Sequence, residues 1–116
     1  MLYKINYNNK QFKAEYNSET GEVNNSTIFT YYQKDNIIWG DYSGGDIVKG
    51  TIVGTVNNIG ELKFFYQHIN VHHIIRAGEC HSIPTIMSDG KIRLDETWKW
   101  LNDDMSTGSS VLYEIK

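Results

Sequence analysis

The sequence predicts an all-β domain whose antiparallel strands form an up-and-down meander that closes into a small barrel. Turn-forming stretches recur every 8 to 15 residues along the chain. The segments between them are rich in Ile, Val, Thr, Tyr, Phe and Trp, and none shows a sustained period of 3.6 residues. Regular punctuation of β-favouring segments at this spacing is typical of β-sandwiches and β-barrels.

Eight strands follow from the positions of the turns, in chain order. They are predicted at residues 11–16, 26–33, 37–42, 47–56, 61–71, 74–81, 91–101 and 110–115. A short strand at residues 2–7 could precede them, which gives eight or nine. Most connections are two to six residues long, so sequential strands are expected to pair as hairpins, and closing the sheet removes its exposed edges.

A sandwich with Greek-key crossings is the alternative arrangement of these strands. It requires a long crossover, and the only longer stretches without strand pattern are residues 19–25 and 82–90. Glycines inside the strand patterns, at Gly40, Gly50, Gly54 and Gly78, indicate bends, which a small curled barrel needs. The barrel is therefore the preferred interpretation.

Strand alternation predicts which side chains share a face. One face of the seventh strand carries Ile92, Leu94, Glu96, Trp98 and Trp100. One face of the fifth strand changes along its length from apolar to polar, through Leu62, Phe64, Tyr66, His68 and Asn70. A face of this kind could pack at one end of a barrel and meet a ligand at the other.

The composition narrows the class of function. The 116 residues fit one domain, residues 1–116, and a net charge of −3 supplies no basic surface for nucleic acid. The first ten residues lack the pattern of a signal peptide, no apolar run reaches membrane-spanning length, and Cys80 is the only cysteine. We expect a cytoplasmic protein without a nucleic-acid or membrane partner, and the oligomeric state stays open.

Several fragments together resemble a family of short bacterial proteins, mostly uncharacterised and often labelled N-acetylglutamate synthase. They are Gly21-Glu22-Val23, Tyr42 to Gly45, Ile47 to Gly50, Tyr66 to Asn70, Gly78 to Ser82, Gly90 to Leu94, Glu96, Trp98, Trp100 and Gly108 to Ser110. The resemblance covers most of the chain. It implies a calycin-like barrel, the architecture shared by lipocalins, fatty-acid-binding proteins and avidins.

The enzyme named in that label uses an acetyltransferase fold, in which a glycine-bearing loop leads from a strand into a helix and holds the pyrophosphate of acetyl-CoA. The stretch Arg76 to Glu79 does not place glycines at the spacing of such a loop, and no helix is predicted after it. We therefore expect no bound cofactor, and the sequence argues against acetyltransferase activity.

Four histidines and the cysteine cluster between residues 68 and 81 at His68, His72, His73, Cys80 and His81. On a strand, His68 and His72 would stand about 13 Å apart, too far to bind one metal ion. Neighbouring strand residues face opposite ways, so His81 cannot act as a base for Cys80. We expect no metal site and an unreactive, buried Cys80.

The strongest candidate site is Glu96 between the apolar and tryptophan residues of its strand face. A buried carboxylate requires a partner, expected to be Arg76, His68 or a tyrosine hydroxyl. The leading hypothesis is a binding protein whose barrel holds a small ligand, lined by Tyr32, Trp39, Tyr66, His68, Glu96, Trp98 and Trp100. Two alternatives remain. One is an enzyme, either the acetyltransferase of the label or a hydrolase or isomerase that uses His68 and Glu96 as acid and base. The other is a filled barrel with a structural or interaction role.

Overall fold

The computed structural model describes residues 5–115 and is a closed barrel of eight antiparallel strands in sequence order. The strands are β1 (Lys10–Asn17), β2 (Ile28–Lys34), β3 (Ile37–Gly44), β4 (Ile47–Val56), β5 (Leu62–Asn70), β6 (Ile75–Ile86), β7 (Ile92–Trp100) and β8 (Thr107–Glu114). No helix occurs in residues 5–115. The predicted all-β meander and its closure into a barrel are confirmed.

The pairing of β1 with β8 closes the barrel. Phe12 lies opposite Glu114 and Asn17 lies opposite Ser110, with an irregularity between Ala14 and Tyr16. Every other pair joins strands that follow one another along the chain. The sandwich alternative is therefore wrong, because neither residues 19–25 nor residues 82–90 form a crossover.

Strand β6 is longer than the sequence pattern predicted. It continues to Ile86, and its last residues pair with the first residues of β7. The predicted strand ended at His81, and residues 82–90 were expected to lack strand structure. Pro84 has no backbone N–H, yet it lies within the paired region opposite Leu94. Of the possible strand at residues 2–7, residues 2–4 lie outside the described residues, and residues 5–7 are not in a strand.

The two ends of the barrel differ. One end is closed by Tyr7, which is fully buried and donates a hydrogen bond from its hydroxyl to the carbonyl oxygen of Gly60. The other end carries the connections that follow β1, β3, β5 and β7, because a meander alternates its turns between the two ends. We call this second end the mouth; it consists of residues 18–27, 45–46, 71–74 and 101–106.

Two of the interior glycines make room for aromatic rings. A side-chain carbon at Gly50 would overlap the ring of Tyr42, and one at Gly78 would overlap the hydroxyl end of Tyr66. Both glycines lie within paired strands, and the pairing of β4 is irregular next to Gly50. Their absent side chains therefore allow large rings to lie flat across the inside of a narrow barrel.

Candidate functional site

A cavity of about 50 Å³ lies inside the barrel near the mouth. Its wall is mostly apolar and draws on all eight strands and on the connection between β1 and β2. The lining residues are Asn17, Gly21, Glu22, Val23, Phe29, Tyr42, Ile52, Phe64, Tyr66, His68, Cys80, Glu96, Trp98, Trp100, Ser110 and Leu112. One water requires roughly 10 to 15 Å³ of such space, so the cavity holds a few waters at most.

Aromatic side chains form much of the cavity wall. The rings of Trp98 and Trp100 on β7 lie 5.6 Å apart, and the ring of Tyr66 on β5 meets that of Trp100 edge to face at 5.5 Å. Alternation places both tryptophans on the inner face of β7, where they are nearly fully buried. Rigid rings of this kind provide flat contacts for an apolar or aromatic ligand.

Glu96 is the one buried carboxylate in this wall. The hydroxyls of Ser82 and Ser110 each donate a hydrogen bond to it, at 2.6 Å and 3.0 Å. These serines lie directly opposite Glu96 on β6 and β8. Burial raises the pKa of Glu96 to about 7, although the hydrogen bonds partly oppose that rise. The prediction that Arg76, His68 or a tyrosine hydroxyl would be the partner of Glu96 is therefore wrong, because two serine hydroxyls donate to its carboxylate.

A second carboxylate, Glu22, lies at the rim of the cavity in the connection between β1 and β2. His68 Nε2 lies 2.8 Å from Glu22 Oε1, Arg76 Nη1 lies 3.0 Å from Oε2, and Asn70 Nδ2 lies within 3.4 Å of both oxygens. Burial alone would raise the pKa of Glu22, but the three hydrogen-bond donors outweigh it and hold the pKa below its usual value. Glu22 is therefore ionised at neutral pH.

His68 links this rim to the aromatic wall. Its Nδ1 lies 2.8 Å from the hydroxyl of Tyr42, and burial keeps its pKa below the usual value despite the neighbouring Glu22. The neutral ring that results donates from Nε2 to Glu22 and accepts at Nδ1 from Tyr42. Both nitrogens are thus engaged, which leaves no free nitrogen for the acid–base role considered for His68.

Arg76 is held in place independently of Glu22. Its guanidinium carbon lies 3.9 Å from the centre of the Trp100 ring, and its Nη2 donates to Asp104 at 3.3 Å. Stacking on an indole restricts the guanidinium while leaving the in-plane N–H groups available. Nη1 is therefore directed towards the carboxylate of Glu22 at the rim.

The comparison with protein families agrees with this barrel. The family described as avidin-like protein matches residues 5–115, almost the whole chain. The chain belongs to the avidin-like family. A search of curated proteins and a search of solved structures each found no match.

The family result supports only part of the resemblance drawn from the sequence. An avidin-like barrel is calycin-like, as expected, and it is consistent with a protein that binds a small ligand. The label N-acetylglutamate synthase receives no support, because the matched family is a barrel family and residues 5–115 contain no strand-to-helix loop for acetyl-CoA.

Five of the seven residues expected to line a ligand site come together in the avidin-like barrel. They are Tyr66, His68, Glu96, Trp98 and Trp100, all at the cavity. Whether they contact a ligand stays a prediction.

The prediction that Tyr32 and Trp39 point into the barrel is wrong. Their rings stack on the outer face, 6.1 Å apart, and 41% of Trp39 is exposed. Strand β2 carries aromatic residues on both faces, and it is Tyr31 that points inward, fully buried.

The sequence reasoning did not identify Glu22 or Tyr42 as site residues, and it considered Arg76 only as a partner for Glu96. Glu22 lies in an irregular connection, where no periodicity indicates a direction. Its one signal was its place in Gly21-Glu22-Val23, a fragment of the family resemblance. Tyr42 carries the inward alternation of β3, but only the observed pairing shows that it meets His68.

Other groups considered from the sequence lie apart from the cavity or are unreactive. Burial raises the pKa of the Cys80 thiol well above its usual value, and His81 faces outward. Within residues 5–115, no three His, Cys, Asp or Glu side chains are grouped as metal ligands. That same part of the chain has no helix long and apolar enough to cross a membrane.

Proposed function

We propose that this avidin-like protein is a binding protein that takes a small ligand into the cavity at the mouth of its barrel. One observation carries the proposal: the cavity combines an aromatic wall, formed by Tyr66, Trp98 and Trp100, with a buried carboxylate at Glu96. An apolar wall with a few fixed polar groups is the usual composition of a ligand site.

The size of the cavity restricts the ligand. A space of about 50 Å³ accepts little more than a few waters, so a larger molecule must displace part of the mouth. The polar groups at the cavity suggest a ligand that can hydrogen-bond. Glu96 would accept from an N–H or O–H group when ionised and could donate when protonated, and its pKa of about 7 allows both forms near neutral pH.

Tryptophan emission tests this proposal because the three tryptophans are divided between the two faces. In Trp39→Phe, only the cavity residues Trp98 and Trp100 emit. We expect saturable emission changes with at least one class in a panel of small carboxylates, amides, amines and phenols. The same class should raise the melting temperature, because a ligand that binds only the folded state stabilises it.

The matched control is Trp98→Phe/Trp100→Phe, which keeps only the outer Trp39. Its emission should not respond to the same compounds. A response as strong as that of Trp39→Phe would place binding outside the barrel. If no member of the panel changes either the emission or the melting temperature, the filled structural barrel would be the better account.

A further inference from the structure

The connection between β1 and β2, residues 18–27, inserts two adjacent side chains into the mouth. We call this connection the cover. Glu22 enters the polar rim, and the partly buried Val23 packs against the hydrophobic core. The cover therefore presents to the barrel a carboxylate next to a small branched apolar group.

The donors that receive Glu22 are fixed by the barrel itself. Asn70 uses its side-chain oxygen to accept from the backbone N–H groups of His72 and Ile74, at 3.0 Å and 3.1 Å, which orients its amide nitrogen towards Glu22. Arg76 is positioned by Trp100 and Asp104, and His68 by Tyr42. Three oriented donors on neighbouring strands form a receptor that would remain if Glu22 left it.

The cover joins no strand pairing between Ser18 and Thr27. Its two ends are attached to the barrel, since Ser18 bonds Ser109 through its backbone N–H and its hydroxyl, and the hydroxyl of Thr27 donates to Gly44. Between these ends, Thr20 bonds Thr107 through its hydroxyl and Trp100 through its carbonyl, and the carbonyl of Val23 accepts from Asn17. The bonds of Thr20 and Val23 are single hydrogen bonds, each worth on the order of 1 kcal/mol net. An occupant with comparable contacts can therefore displace Glu22 and Val23 while the two ends of the cover stay attached.

We propose that Glu22 and Val23 occupy the place of a ligand, and that this ligand is a small carboxylate with a compact apolar body. Its carboxylate would bond to His68, Asn70 and Arg76, and its apolar part would lie against Trp98 and Trp100. The inference rests on the proposed function and adds the ligand class and the internal group that competes with it. It also accounts for the small cavity, since the site is filled by the protein's own side chains.

The test uses isovalerate, a branched carboxylate, and isovaleramide, its uncharged counterpart of the same shape. The variants are Glu22→Ala and Glu22→Gln, with Glu19→Ala as the matched control, since Glu19 is an exposed carboxylate of the same cover. Calorimetric titration and melting temperature are measured for each protein at pH 7. Glu22→Gln keeps the shape of the side chain and serves if Glu22→Ala folds poorly.

We expect isovalerate to bind Glu22→Ala and Glu22→Gln saturably in the millimolar range, and isovaleramide to bind at least tenfold more weakly. The wild type and Glu19→Ala should bind isovalerate about tenfold more weakly than Glu22→Ala. This ratio corresponds to a site that Glu22 occupies about nine-tenths of the time, because the apparent affinity falls to the fraction of molecules whose site is open. Adding Arg76→Gln to Glu22→Ala should remove the binding of isovalerate.

The opposite results overturn the inference. If folded Glu22→Ala and Glu22→Gln fail to bind isovalerate, or bind isovaleramide equally well, the rim does not recognise a carboxylate. The proposed function would still stand if other compounds of the panel change the emission of Trp98 and Trp100 in Trp39→Phe. If no compound of the panel changes the emission or the melting temperature of Trp39→Phe or of either Glu22 variant, the proposed function fails as well.

Discussion

Glu96 shows how a single carboxylate can be kept inside an almost apolar wall. Its two oxygens each accept from one serine hydroxyl, and both serines belong to the neighbouring strands in the same cross-strand row. Neither serine carries a charge, so no cation compensates the ionised form. This explains why burial dominates and raises the pKa of Glu96 to about 7.

The titration of Glu96 should be visible in the stability of the protein. Between about pH 4.5 and pH 7 the folded protein holds a proton that the unfolded chain has released, so this residue lowers the free energy of unfolding as the pH rises. Glu96→Gln removes that titration, and its amide can bond both serines. We expect the variant to match the wild type near pH 4.5 and to exceed it by about 3 kcal/mol at pH 8.

Urea unfolding at the two pH values measures the difference, and Asp95→Asn is the control, because Asp95 is a surface carboxylate paired with Arg93. Glu22 and His68, whose pKa values are lowered, favour the opposite trend, but both proteins contain them and their effects cancel in the comparison. Equal destabilisation by Glu96→Gln at both pH values would show that the charge itself is required.

The sequence predicted the face of Glu96 but not its partners. Alternation along β7 is enough to place Glu96 beside Trp98 and Trp100 on the inner face. Identifying Ser82 and Ser110 requires the register of β6 and β8 against β7, which is set by contacts between distant parts of the chain. The predicted sixth strand stopped at His81, one residue before the serine that mattered.

At the scale of elements, the inner faces of β5 and β7 were predicted because both strands have a regular pattern. On β5 the change from Leu62 and Phe64 to His68 and Asn70 follows the barrel from its closed end to its mouth. On β2 and β3 large apolar side chains occur on both faces, so sequence alone did not decide the direction of Tyr32 or Trp39. The connection that holds Glu22 has no period at all.

The contact between β7 and β8 offers a test of packing around the cavity. Gly108 lies opposite Trp98, and a side-chain carbon at Gly108 would overlap the outer atoms of the indole. Gly108→Ala is therefore expected to lower the free energy of unfolding by about 1 to 3 kcal/mol. The same substitution in Trp98→Phe, where those indole atoms are missing, should cost clearly less.

A double-mutant cycle by urea unfolding gives the coupling between the two positions. A coupling energy near zero would mean that the cost arises from the backbone of β8 rather than from the ring. In that case Trp98 would not be held against the cavity by Gly108, and the description of this wall would need revision.

The whole molecule is a barrel with two different closures. The buried ring of Tyr7 fills one end, where the interior is apolar, and Glu22 and Val23 occupy the other, where the interior becomes polar. The avidin-like architecture was predictable because turn spacing and strand alternation are local properties. The two closures could not be predicted in this way, because Tyr7 precedes β1 and Glu22 and Val23 lie in the connection between β1 and β2.

The central claim is that ligands enter the barrel at the mouth, and the indole N–H signals of the three tryptophans test it most directly. Trp98 and Trp100 line the cavity, Trp100 also donates to the cover at Thr20, and Trp39 lies on the outer face. In nitrogen-15 NMR of Glu22→Ala titrated with isovalerate, we expect the signals of Trp98 and Trp100 to shift saturably while that of Trp39 stays in place. Shifts confined to Trp39, or no shift in any of the three, would contradict the account.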